Sequence, residues 1–127
     1  MNELSYQKFS ELLRTSVPGF NPIYDEHVRD NDEVLPHVLM GELVRFLVEE
    51  ARLQGTESSA LRAAMGLLER GMASADPMLQ ELIAVSFLEN LDPADAGFSA
   101  IRSLFGPELE KQYRKFEKAS PQRGALN

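Results

Sequence analysis

The chain has 127 residues, no cysteine, and 20 acidic against 13 basic side chains, a formal net charge of −7. That length is one domain, large enough to bury a core without cross-links. The absence of cysteine excludes disulfides, thiolate metal sites and a cysteine nucleophile, and the acidic balance argues against direct nucleic-acid binding, which draws on Lys and Arg at phosphates.

The opening MNELSYQKFS lacks the basic stretch and apolar run of a signal peptide, and no apolar stretch approaches membrane-spanning length. The expectation is a cytoplasmic protein without membrane contact. In chain order, a first helix is predicted over about residues 3–14, with Leu4, Phe9, Leu12 and Leu13 on one face. Ser16, Pro18, Gly19 and Pro22 then break the pattern, and residues 16–35 read as the longest irregular segment. Pro36 suits the first turn of the next helix, which runs to Gln54 and ends at Gly55. Its wet edge is Glu42, Arg45, Glu49 and Arg52, and apolar residues from Val38 to Ala51 cover the rest.

A third helix is predicted over about 57–73, weakened at Gly66 or packed closely there. Asp76-Pro77 is an N-cap followed by proline at the first helical position, and starts MLQELIAVSFLENL. That helix is apolar nearly all round and belongs at the centre. Asp92-Pro93 repeats the signal for a short helix through Phe98, Ile101, Leu104 and Phe105. Gly106-Pro107 starts a last helix with Leu109, Tyr113 and Phe116 inward. The reading is an all-α single domain of about six helices around a central apolar helix, over residues 1–118, with a frayed tail at 119–127.

The chemistry is concentrated in YDEHVRDNDEVLPH, residues 24–37, which holds both histidines and five carboxylates. Residues 25–50 carry 8 acidic and 2 basic side chains, whereas residues 106–127 carry 3 acidic and 5 basic. His27 and His37 with Asp25, Asp30 and Asp32 contain proper ligand types for zinc or manganese, but no spacing places two ligands on one helical face. A calcium loop starting at Asp30 fails, with Leu35 at its sixth position and Gly41 at its twelfth. Ser86 has no glycines around it, and no phosphate-cradling glycine motif occurs. The reading is therefore non-enzymatic, with no cofactor and no metal.

The basic and aromatic residues of KQYRKFEK sit on one helix, where Tyr113 and Phe116 are expected to pack and the cations to suit the helix C-terminus. What remains is an acidic surface: Asp25, Glu26, Asp30, Asp32 and Glu33 in the expected loop, with Glu42 and Glu49 on the helix after it. Such a surface speeds association with, and selects for, a basic partner. The bland alternative is a solvated face that keeps the protein soluble.

NDEVLPHVLMGELVRFLVEE and ELIAVSFLENLDP, followed by LFGPELEKQYRKFE, carry a family resemblance over residues 30–117. Together they resemble a small all-helical bacterial family whose members look like immunity proteins of polymorphic toxin systems. The resemblance implies neutralisation of a cognate toxin by direct binding, and it supplies no active-site residues. The rival expectation is an adaptor or structural subunit acting through helix-mediated self-association.

Overall fold

In the computed structural model, which describes residues 4–119, the first helix is α1 (Tyr6–Ser16). It begins at Ser5, whose hydroxyl accepts the backbone N–H of Lys8. Phe9 and Leu13 lie on its buried face. The expected irregular segment 16–35 is largely helical instead. Pro18–Phe20 form a single 3-10 turn, and α2 (Asn21–Asn31) follows directly. Pro22 does not interrupt this helix, because it stands in the first turn, where a missing N–H costs nothing. α2 buries Tyr24 and His27, with Val28 half-buried beside them. It stops at Asp32, whose left-handed backbone (φ 61°) ends the helix.

α3 (Pro36–Gln54) has the expected bounds and ends at Gly55, with φ at 59°. Leu39, Met40, Leu43 and Leu47 are fully buried. Val38, expected on the covered side, is 49% exposed. α4 (Ser59–Met72) is capped by Ser58, whose hydroxyl accepts the Leu61 N–H at 3.1 Å. A β-carbon added at Gly66 would meet nothing within 4 Å, so this glycine serves no close packing.

The Asp76-Pro77 signal starts α5 (Pro77–Ser86) as expected, with Asp76 accepting the N–H groups of Met78 and Leu79. The same carboxylate accepts the Tyr6 N–H at 2.7 Å, so one side chain caps the starts of both α5 and α1. α5 is shorter than its apolar run. It ends at Ser86, and Leu88–Asn90 form a 3-10 turn with Asn90 Nδ2 donating to the Ser86 carbonyl at 2.8 Å. Leu79, Leu82 and Ile83 face inward while Met78 and Val85 are exposed.

The second Asp-Pro signal makes a turn rather than a helix start: Asp92 Oδ1 accepts the Ala94 N–H at 2.9 Å. α6 (Phe98–Ser103) begins only after Gly97. A β-carbon on Gly97 would lie 2.8 Å from the Val48 carbonyl oxygen and 2.9 Å from the Ala51 Cβ, so the chain first lies flat against α3. α7 (Pro107–Ala119) is capped from a distance, with Glu69 of α4 accepting the N–H groups of Glu108 at 2.8 Å and Leu109 at 3.0 Å. Ala119 closes α7, and the rest of the tail expected to fray lies outside the described residues.

The described residues thus form seven α-helices and no strand, one all-α unit in which α2 is the helix beyond the expected six. α5 packs against α1, α3 and α4, as a central helix should, and α7 closes over α4. Tyr113 is fully buried among Phe98, Phe105 and Phe116, at ring-centroid distances of 5.7–5.9 Å, and Arg102 lies 4.7 Å over its ring. No described helix is long and apolar enough to cross a membrane.

Candidate functional site

α2 and α3 are joined by four residues, 32–35, and run side by side. His27 holds the pair together. Its Nε2 accepts the Leu35 N–H at 2.9 Å, just before α3 begins, and so must carry the lone pair. The ring proton then resides on Nδ1, which donates to Glu42 Oε1 at 3.0 Å. His27 is 2% exposed, with both ring nitrogens engaged. At the other end of the pair, the rings of Phe20 and Phe46 meet at 5.5 Å.

Between the two helices lies a cleft of about 420 Å³. Glu26 and Asp30 line it from α2, and Glu42 and Glu49 from α3. Ile23 and Phe46 supply its apolar part, and Arg45 is its one lining cation. Four of the seven acids singled out in the sequence therefore converge. Glu26 and Asp30 are exposed and take part in no ion pair among the described residues. Glu49 pairs with Arg52, which holds its carboxyl below the usual range. With Glu49 balanced by Arg52, the three acids Glu26, Asp30 and Glu42 against Arg45 still give the cleft a negative field.

The other three candidate acids do not line the cleft. Asp25 faces α1 and pairs with Arg14 at 2.8 Å. Asp32 is the left-handed end of α2, and Glu33 is exposed in the connection after it. The expectation of an acidic loop is corrected accordingly: Asp25, Glu26 and Asp30 stand on a helix, and Glu26 and Asp30 face the next one across the cleft. Sequence reasoning passed over Ile23, Phe46 and the clamp role of His27. The signal was present in Phe20, Tyr24, His27 and Val28, whose spacing is helical once a buried histidine is counted with the apolar residues.

The two histidines do not meet at a shared site. His37 is bonded through Nδ1 to Ser86 Oγ, which ties the start of α3 to the end of α5. Among the described residues no carboxylate hydrogen-bonds the other ring nitrogen, and Ser86 sits at a helix C-terminus, where carbonyls rather than N–H donors are presented. No cluster of three or more His, Asp or Glu arranged to hold a metal ion occurs among the described residues.

A second charged face lies on α7. Lys111, Arg114, Lys115 and Lys118 share one side with Glu110. Arg114 pairs with Glu110 at 2.8 Å, and no ion pair among the described residues engages Lys111, Lys115 or Lys118.

In comparison with known proteins, a family model described as Domain of unknown function (DUF7674) matches residues 10–119. No curated protein and no solved structure matches the chain.

Proposed function

The chain belongs to the DUF7674 family, and we propose that it is a non-enzymatic, cytoplasmic, immunity-type binding protein that neutralises a cognate bacterial toxin by direct occlusion. The observation that carries the binding role is the convergence of Glu26, Asp30, Glu42 and Glu49 around one cleft with an apolar part. Scattered surface acids promote solubility; acids facing each other across an apolar groove also select a cationic partner. The partner is a toxin segment bearing Lys or Arg, such as the rim of a basic active site. The toxin itself comes from the resemblance in LPH, SFLENL and the α7 start rather than from the cleft.

The mechanism is steric. The groove walls are pre-set by the His27 clamp and the Phe20–Phe46 contact, so little ordering accompanies binding. Opposite charge speeds encounter, and the rate falls as salt screens it.

The test is growth rescue. The product of a neighbouring reading frame is expressed in a host with and without this protein. Specific rescue with co-purification of the two chains is the expected outcome. A groove-neutralised variant, Glu26→Gln with Asp30→Asn and Glu49→Gln, should associate at least tenfold more slowly at low salt. Toxicity without rescue under confirmed expression rejects the immunity role, and an unchanged association rate rejects the groove. The second reading, an adaptor that acts through self-association, is favoured by the basic face of α7.

A further inference from the structure

The acidic groove and the basic face of α7 are complementary in sign and in spacing. The groove presents four carboxylates around one arginine, Arg45; α7 presents four cations beside one carboxylate, Glu110. Glu42 and Glu49 are seven residues apart on α3, as are Lys111 and Lys118 on α7, so each row spans about 10 Å at the helical rise. Glu26 and Asp30 are one turn apart on the opposite wall, and Lys111 and Lys115 repeat that spacing. Several of these charges have no partner within the described chain: Glu26, Asp30 and Arg45 on one surface, and Lys111, Lys115 and Lys118 on the other.

We infer that a second copy of this chain lays the basic face of α7 into the α2–α3 groove. This rests on reading the groove as a docking surface, as in the preceding section, and adds a competitor for it. The contact joins unlike surfaces, so a pair of copies keeps one free groove and one free basic face for further contacts unless the arrangement closes on itself. Two turns of helix in a shallow cleft bury less than the roughly 1,200–2,000 Å² of a stable complex, so the association is weak and reversible. The net charge of −7 opposes assembly, but at about 0.15 M salt its field decays over roughly 8 Å, while ion pairs in contact are screened less. Self-association would occupy the groove at high chain concentration, and a tighter basic partner would displace it.

The experiment is sedimentation velocity on the full chain from micromolar to millimolar concentration. One variant neutralises the groove (E26Q, D30N, E49Q) and the other the α7 face (K111Q, K115Q, K118Q). All are exposed residues outside the core, and circular dichroism verifies that both variants fold. The wild-type mass should rise above the 14.2 kDa monomer with concentration and fall back at about 1 M salt. Each variant alone should stay monomeric. An equimolar mixture should recover association that stops at a one-to-one dimer, because only one intact groove and one intact basic face remain per pair. A monomeric wild type overturns the inference. So does association that survives in either single variant, or a mixture that stays monomeric. None of these outcomes depends on a toxin, so failure here is distinct from failure of the growth rescue.

Discussion

His27 shows how one polar side chain can organise two helices. It is buried, fixes its own tautomer by accepting the Leu35 N–H, and turns Glu42 toward the groove. His27→Ala leaves that N–H and the carboxylate without a partner and opens a cavity. We expect a loss of about 2–3 kcal/mol in urea unfolding. A loss below about 0.5 kcal/mol, the size of an ordinary surface change, would reject the clamp. Two glycines make a paired prediction. Gly97→Ala forces a methyl group into the α3 backbone and should cost about 1–3 kcal/mol. Gly66→Ala enters open space in mid-helix and should stabilise by about 0.5–1 kcal/mol. Equal effects at the two positions would contradict the packing described for α6 on α3.

Helix boundaries follow local chemistry until a tertiary contact overrides it. Pro36, Asp76-Pro77 and Pro107 start helices where their chemistry says they should. Asp92-Pro93 carries the same signal and starts none, since Gly97 must first lie against Val48 and Ala51. Asp76 shows the converse, a local cap recruited to a distant element. The Tyr6 N–H, more than the N–H groups of its own helix, holds its carboxyl below the usual range. A depressed carboxylate stabilises the fold above its unfolded value and loses that contribution as pH falls through the folded one. Asp76→Asn should therefore lower the thermal midpoint at neutral pH, and the gap to wild type should narrow on acidification. Hydrogen exchange should quicken first at the start of α1. Faster exchange at α5 alone would show that Asp76 caps only its own helix.

At the scale of the whole molecule, α6 and α7 are locked by a charge cluster beside the aromatic nest of Tyr113. Arg102 donates to Glu110 at 2.8 Å and to Glu117 at 3.1 Å. The Arg102 bond first, then that from Arg114, drives the Glu110 carboxyl from 4.5 down to about 2. Its stabilisation is present above pH 4.5 and disappears as pH falls toward 2. Glu110→Gln should cost about 1–2 kcal/mol at neutral pH, less than the full shift would imply because the cluster is partly solvated. That difference should vanish in acid unfolding curves near pH 2. A difference independent of pH would mean that shape rather than charge joins the two helices.

The sequence by itself determined the helical class, three helix starts and the bounds of α3, because caps and apolar spacing act over a few residues. The seven acids were equally legible, but not which of them stand together. The tertiary structure decided that. Glu26 and Asp30 meet Glu42 and Glu49 only because α2 is a helix, and its buried stripe is hidden in the sequence by a histidine that looks polar and is not exposed. Asp25, adjacent in sequence to Glu26, turns instead to Arg14 on α1. Neighbouring positions on a helix are about 100° apart, so a one-residue step changes the face and with it the partner.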